Sequence, residues 1–123
     1  MSLEPGMNLV QYSVTAALGE GGMGEVWRAE DTKLGREVAL KLPLARQQLS
    51  ESARARFLEE ARALARIRHT NVLTIYAVLE HDDQIALVTE FIDGETLGAL
   101  VSEKGPLSAA ESATAGTEIC RAL

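Results

Sequence analysis

The sequence predicts an α+β fold in which a five-stranded antiparallel sheet packs with one main helix. Short runs of alternating apolar and polar residues, separated by turn residues, indicate antiparallel strands. Between the third and fourth runs, one longer segment instead repeats apolar residues at helical spacing. Two shorter helical segments follow the last strand. The predicted strands are residues 12–18, 24–31, 36–42, 72–80 and 84–91.

Length and composition exclude several classes of protein. The chain has 123 residues, of which 46% are hydrophobic and 24% charged, as in ordinary globular domains. Its formal net charge of −6 disfavours nucleic acid or an anionic membrane surface as the main partner. The single cysteine, Cys120, cannot form an intrachain disulfide and indicates a reducing compartment. We therefore expect a cytoplasmic segment without membrane contact, and we expect Met1-Ser2-Leu3 to be an expression-vector leader.

A glycine-rich stretch, Gly19-Glu20-Gly21-Gly22-Met23-Gly24, joins the first two strands. Glycine has no Cβ and tolerates positive φ, so the backbone N–H groups of such a stretch can approach a phosphate. In a dinucleotide-binding fold the last glycine opens a helix. Here the strand-forming residues Val26 and Trp27 follow instead, so the stretch is predicted to be a flap over a sheet. Taken alone, the glycine pattern is more often a mobile turn than a nucleotide-binding loop.

The third strand carries a lysine beside a small residue. Period-2 alternation places Val38, Leu40 and Leu42 on one face and Ala39 and Lys41 on the other. A lysine in a strand is most often a solvated surface charge. The following helix changes that interpretation because it offers a carboxylate partner.

The main helix is predicted over residues 51–68, with Ser50 as its N-cap. Its apolar stripe includes Glu60, and a buried carboxylate is costly unless it is paired. The sequence offers Lys41 as the partner. The stripe consists of Phe57, Ala61, Leu64 and Ile67, and the arginines assigned to solvent are Arg54, Arg56, Arg62 and Arg66.

The two histidines are predicted to be structural. His69 heads a turn and His81 ends a strand, and no cysteine or further histidine lies at metal-ligand spacing. An acidic turn, Asp82-Asp83, joins the last two strands.

Two short helices complete the predicted elements. Thr96 is expected to cap the first, which runs to about Ser102, and Ser108 with Glu111 forms a capping box for the second. The second helix carries apolar residues to Leu123 without a following domain, so we expect that the chain has been cut from a longer protein.

In order and spacing, these segments resemble the N-terminal lobe of a eukaryotic-type protein kinase. The stretches Gly-Glu-Gly-Gly-Met-Gly-Glu-Val and Asp-Thr-Lys-Leu-Gly-Arg-Glu-Val-Ala-Leu-Lys are especially similar to bacterial serine/threonine kinases. The resemblance covers residues 12–123. It implies a leader over residues 1–7, a kinase N-lobe over 8–92, and the hinge exit with the first two helices of an incomplete C-lobe over 93–123.

The resemblance implies a role for particular residues in binding ATP. Lys41 would hold the α- and β-phosphates and pair with Glu60. The Glu90 carbonyl and the Ile92 N–H would bind adenine, with Phe91 between them, and Glu95 would lie near the ribose. The other implied site residues are Gly19, Gly21 and Gly24 over the phosphates, Leu18, Val26 and Ala39 in the roof of the adenine pocket, Thr89 as gatekeeper, and Leu64 with Ile75 in a hydrophobic spine. Thr70 departs from the proline usual in the family.

The implied function of the parent protein is phosphoryl transfer from ATP, with Mg²⁺, to serine or threonine of a protein substrate. In this family the catalytic aspartate and the Mg²⁺ ligands lie beyond the matched region, so this chain alone is expected to be inactive. An alternative is a stand-alone N-lobe that acts as a non-catalytic regulatory or interaction module. A third possibility, a small α+β domain with a glycine hairpin turn, leaves Lys41 and Glu60 unexplained. We also expect self-association through the exposed surface that a C-lobe would cover.

Overall fold

The computed structural model describes residues 3–21, 24–43, 51–81 and 84–123. The chain divides into two compact units, one of Met1–Arg68 with Thr74–Phe91 and one of His69–Leu73 with Ile92–Leu123. The strands are β1 Asn8–Leu9, β2 Tyr12–Gly21, β3 Gly24–Asp31, β4 Arg36–Leu42, β5 Ile75–His81 and β6 Gln84–Glu90, and the helices are α1 Glu51–Ala65, α2 Leu97–Lys104 and α3 Ala109–Ala122.

The strands of the first unit form one antiparallel sheet in the order β1-β2-β3-β4-β6-β5. The predicted α+β fold is confirmed, but the described sheet has six strands rather than five. The additional strand, β1, pairs Leu9 with Tyr12. It was missed because two residues are too few to show alternation.

One face of the sheet carries the core. Trp27 lies opposite Leu40, and Leu40 lies opposite Val88, so the three side chains project from the same face. All three are buried, as are Val38 and Leu42, which confirms the alternation predicted for β4. Burying each such aliphatic side chain contributes about 1.5 to 3 kcal/mol of transfer free energy. This core fixes which face of β4 carries Lys41.

The segment before β1 is part of the packed fold. Leu3 is only 2% exposed and belongs to the core cluster. The Gly6 N–H donates to the Val14 carbonyl, and the Val14 N–H donates to the Met7 carbonyl. Residues 3–7, which belong to the predicted leader, therefore contribute to the first unit.

A buried aspartate shapes the turn between β3 and β4. Asp31 accepts hydrogen bonds through Oδ1 from the N–H groups of Lys33 and Leu34, and Gly35 takes a positive φ of 66°. The pKa of Tyr12 is raised, mainly by burial and to a lesser extent by the nearby Asp31 carboxylate. Arg36 lowers it in part. The turn sets Asp31 opposite Arg36 and so fixes the register of the two strands.

Helix α1 packs on β5 through a different face from the predicted one. Leu58 and Ala61 are buried, whereas Leu64 is 48% exposed and Glu60 is exposed. Ile67 lies beyond the end of the helix and is exposed as well. The prediction that Glu60, Leu64 and Ile67 share the buried stripe is wrong.

An ion pair between α1 and β5 accompanies this orientation of the helix. Arg54 donates to the Glu80 carboxylate on β5 at 3.3 Å, and its side chain is 25% exposed. The long stem of an arginine can cover apolar surface while the guanidinium stays paired. The prediction that Arg54 faces solvent is therefore wrong. The predicted N-cap Ser50 and the Asp82-Asp83 turn lie outside the described residues.

The second unit contains the two short helices with their predicted caps. Thr96 Oγ1 accepts from the Ala99 N–H at 3.0 Å, and Ser108 with Glu111 forms both hydrogen bonds of a capping box. The backbone N–H of Ser108, and after it its hydroxyl, lower the pKa of Glu111. Neither α2 nor α3 contains a buried residue. The N-termini of both helices are confirmed, and α2 runs two residues past the predicted end.

His69 is exposed, and its Nδ1 accepts a hydrogen bond from the Asn71 N–H. Nothing in the described part of the chain is both helical and long and apolar enough to span a membrane.

Candidate functional site

Lys41 projects from the sheet face opposite to the core. Cross-strand pairing sets Val26 opposite Lys41 and Lys41 opposite Leu87. In a second row, Arg28 lies opposite Ala39, and Ala39 lies opposite Thr89. Since directly opposed residues of antiparallel strands project to one side, both rows share a surface. We call this surface, defined by Val26, Arg28, Ala39, Lys41, Leu87 and Thr89, the Lys41 face.

The Lys41 face combines small apolar side chains with one ammonium group. Ala39 and Thr89 are buried, and Val26 and Lys41 are half-buried. A flat apolar ring can lie against the methyl groups of Val26 and Ala39, while an anionic group beside it can contact Lys41 Nζ. This chemistry fits the adenine and phosphates of a nucleotide.

The glycine-rich stretch borders the same face. Gly19 lies opposite Val26, and Leu18 sits at a register irregularity between Ala17 and Gly19, where it is half exposed. Gly21 and Gly24 are the last pair of the β2–β3 ladder. Gly22 and Met23 lie outside the described residues. The described part of the predicted flap therefore continues the pairing of β2 with β3.

Gly24 is required by the backbone geometry. Its φ is +125°, and a Cβ added there would lie 1.9 Å from the carbonyl oxygen of Leu42. A Cβ added at Gly19 would meet nothing within 4 Å. The close approach of β3 to the end of β4 therefore needs glycine at position 24, whereas space at position 19 is open.

The predicted ion pair between Lys41 and Glu60 is not formed in the described structure. The physical reason is the orientation of α1. Counting about 100° per residue, Glu60 lies about 100° round the helix from Ala61, which faces the sheet. Arg54 and Leu58 lie on the other side of Ala61 and occupy the inward face instead.

Of the two residues predicted to form a hydrophobic spine, only one is buried. Ile75 is buried on the sheet, but Leu64 is exposed on α1. Both differences from the prediction have the same origin, because Leu64 and Glu60 lie on the same side of the helix.

Glu90, at the end of β6, is held by several hydrogen bonds. Its N–H donates to the Thr74 carbonyl at 2.9 Å, and its carboxylate accepts from the Thr74 N–H at 3.3 Å. Its carbonyl accepts from the Thr89 hydroxyl at 3.1 Å. The carbonyl retains a second lone pair for a ligand donor. Ile92 and Glu95 belong to the second unit, and both are exposed.

The structure adds one group on the Lys41 face that the sequence analysis missed. The Arg28 guanidinium lies over the Phe91 ring, 4.5 Å from its centroid, and forms an ion pair with Glu37. The signal was available, since alternation from Val26 along β3 places Arg28 on the same face.

Among the residues that the structure describes, no group of three or more His, Cys, Asp or Glu side chains is arranged to hold a metal ion.

Comparison with known proteins gives consistent matches. The model of the protein kinase domain matches residues 12–123. The probable serine/threonine-protein kinase PknB of Lactococcus lactis is 38% identical over 114 residues, which are 92% of this chain and 18% of that protein. The serine/threonine-protein kinase PrkC of Bacillus subtilis is 33% identical over 113 residues, which are 92% of this chain and 17% of that protein.

A crystal structure of the Mycobacterium tuberculosis PknI kinase domain has the same fold. It matches with a TM-score of 0.84 and 25% identity, covering 96% of this chain and 48% of that chain. The chain thus spans less than a fifth of the length of the two curated relatives and about half of this solved kinase domain.

The two glycines give a matched test of the backbone geometry. We expect Gly24→Ala to lower the free energy of unfolding by at least about 1 to 3 kcal/mol, because the positive φ and the clash with Leu42 both strain the backbone. Gly19→Ala should change it by less than about 0.5 kcal/mol. Urea unfolding followed through the fluorescence of Trp27 measures both variants. Equal destabilisation by the two substitutions would contradict the geometry described.

Proposed function

The chain belongs to the protein kinase domain family, and from this premise we propose that it is the ATP-binding portion of a serine/threonine protein kinase. The observation that carries the proposal is the placement of Lys41 on one face with Val26, Ala39 and Thr89, bordered by the glycine-rich strands. The proposed reaction of the whole protein is transfer of the γ-phosphoryl group of ATP to a serine or threonine hydroxyl of a protein substrate.

We assign the binding of the nucleotide to the Lys41 face. Val26 and Ala39 would contact adenine from above, with Leu18 at the margin. Thr89 would lie at the back of the pocket. Lys41 Nζ would bind phosphate oxygens, and its half-buried position strengthens the attraction because water screens it less.

The backbone around the site would supply the directional contacts. The Glu90 carbonyl would accept from the exocyclic amine of adenine, and the Ile92 N–H would donate to the ring. Glu95 would bind the ribose. Gly19, Gly21 and Gly24 would let the main chain lie close to the phosphates, since none of them places a Cβ in the way.

Magnesium would neutralise part of the charge on the phosphates when it is bound with ATP. The described residues of this chain offer no cluster of ligands for it. In the kinase family the Mg²⁺ ligands and the catalytic base lie beyond the region that this chain matches, so we assign neither to it and propose that it is catalytically inactive by itself.

Glu60 is proposed to pair with Lys41 in the active arrangement of the site. This requires α1 to turn, because Arg54 and Leu58 now face the sheet. The Arg54–Glu80 ion pair is partly exposed and contributes about 1 kcal/mol or less, so it can be exchanged at small cost.

Substitution of Lys41 in a longer protein that includes the rest of the kinase domain tests the proposal. We expect Lys41→Met to lower kcat/KM for phosphorylation of a generic protein substrate by about 100-fold or more, because a preorganised charge at the phosphates is lost. Lys33→Met, which removes an exposed lysine of the β3–β4 turn, is the matched control and should have no effect.

Three results would contradict this assignment in whole or in part. Full activity of the Lys41→Met protein would exclude the proposed phosphate contact. Full activity of a Glu60→Gln protein would exclude the pairing role of Glu60 while leaving Lys41 in place. Absence of kinase activity from the unsubstituted longer protein would favour a regulatory or interaction module instead.

The second unit is the basis of a further proposal, that the isolated chain self-associates. Helices α2 and α3 contain no buried residue, and Leu97, Val101 and Ile119 are exposed. Exposed apolar side chains on helices without a buried face favour association. Light scattering at increasing concentration should show a mass above that of the monomer. A constant monomer mass at high concentration would contradict this.

A further inference from the structure

The group formed by Glu37, Arg28 and Phe91 carries an inference that rests on the proposed function. Arg28 lies on β3, Glu37 lies on β4, and Phe91 is the first residue after β6. The guanidinium of Arg28 is 4.5 Å from the centroid of the Phe91 ring and pairs with the Glu37 carboxylate. The Arg28 side chain therefore links β3 to β4 and to the residue that follows β6.

The route of the Arg28 side chain depends on the small residue beside it. Ala39 stands between Arg28 and Thr89 in the cross-strand row, and neighbouring strands are about 4.8 Å apart. Arg28 thus spans β4 to reach a ring beyond β6. The residue of β4 that lies opposite Arg28 is Ala39, whose side chain is only a methyl group.

Phe91 directly follows the backbone group proposed to bind adenine. Glu90 is fixed on its N-terminal side by hydrogen bonds with Thr74 and Thr89. On the C-terminal side, the contact between Arg28 and the Phe91 ring ties the chain to β3. Together these contacts hold the Glu90 carbonyl from both directions.

The contribution of this group to overall stability should be small. The Arg28 and Glu37 side chains are 39% and 54% exposed, and ion pairs between exposed groups stabilise folds only weakly. A guanidinium that lies over a ring also restricts the orientation of that ring. The effect of Arg28 should therefore be on the geometry of the chain at Phe91.

We propose that Arg28, held by Glu37 and lying over Phe91, is a positioning residue that fixes the Glu90–Phe91 main chain and so sets the affinity for the adenine base. It acts through Phe91 and does not touch the phosphates. Its removal should weaken ligands that carry the base and leave base-free polyphosphates unaffected.

The test uses this chain labelled with ¹⁵N and follows amide shifts during titration with MgATP and with magnesium tripolyphosphate. We expect Arg28→Met, which keeps an apolar stem, to raise the Kd for MgATP about two- to fivefold, as expected for the loss of one cation–π contact. The Kd for tripolyphosphate and the urea midpoint should not change.

Substitutions of the ring give an independent measure. Phe91→Leu should raise the Kd for MgATP as much as Arg28→Met does, and Phe91→Tyr should preserve it. The double variant should bind no more weakly than either single variant, because both remove one interaction. Arg36→Met is the matched control, since Arg36 lies over the ring of Tyr76 at 3.7 Å elsewhere on the sheet, and it should leave both Kd values unchanged.

Three outcomes would overturn the proposal, and each would identify a different error in it. An unchanged Kd for MgATP in Arg28→Met would overturn the positioning role alone. An equal loss of affinity for MgATP and tripolyphosphate would overturn it in favour of a direct phosphate contact. If the unsubstituted chain bound neither ligand at millimolar concentration, the proposed nucleotide site and this inference would both be wrong.

Discussion

The register between β3 and β4 determines which side chains share the Lys41 face. Asp31 fixes it at one end by closing the turn, and Gly24 fixes it at the other by lying against the Leu42 carbonyl. Between these two points Val26 is set opposite Lys41, and Arg28 is set opposite Ala39. A shift of one residue would send Lys41 into the core, because successive side chains of a strand point to opposite faces. The proposed site therefore depends on this one pairing.

The orientation of α1 is the second constraint, and it is easier to change. Arg54 and Glu60 are six residues apart and so lie about 120° apart around the helix. One rotation of the helix cannot direct both side chains at the sheet. The Arg54–Glu80 pair and a Lys41–Glu60 pair are therefore alternatives, and the structure shows the first. The proposed pairing of Glu60 with Lys41 would need the second arrangement, so a rotation of α1 would then control the site.

Alternation and capping rules predicted the parts of the fold that local sequence decides. Val38, Leu40 and Leu42 point into the core as the period-2 pattern required, and Ser108 caps α3 through the predicted box. The inward face of α1 was not predictable in this way. Leu58 and Leu64 both extend an apolar stripe through Ala61, and the choice between the two stripes depends on packing against β5 and on Glu80, 26 residues from Arg54.

Local sequence likewise predicted some features of the proposed site and missed those that depend on contacts between strands. Strand periodicity sufficed to place Ala39 and Lys41 on one face, whereas the position of Thr89 beside Ala39 follows from the pairing of β4 with β6. It did not show that Arg28 reaches Phe91, because that contact crosses β4 and depends on where the chain runs after β6.

Labelling with an acyl-phosphate derivative of ATP tests the central claim most directly. The amine of a lysine near the phosphates attacks the acyl carbon, forms an amide and releases ATP. The chain has three lysines, Lys33, Lys41 and Lys104, so mass spectrometry can assign the product without ambiguity. The account predicts preferential labelling of Lys41 that excess MgATP suppresses. Equal labelling of all three lysines, or labelling of Lys41 that MgATP does not suppress, would contradict it.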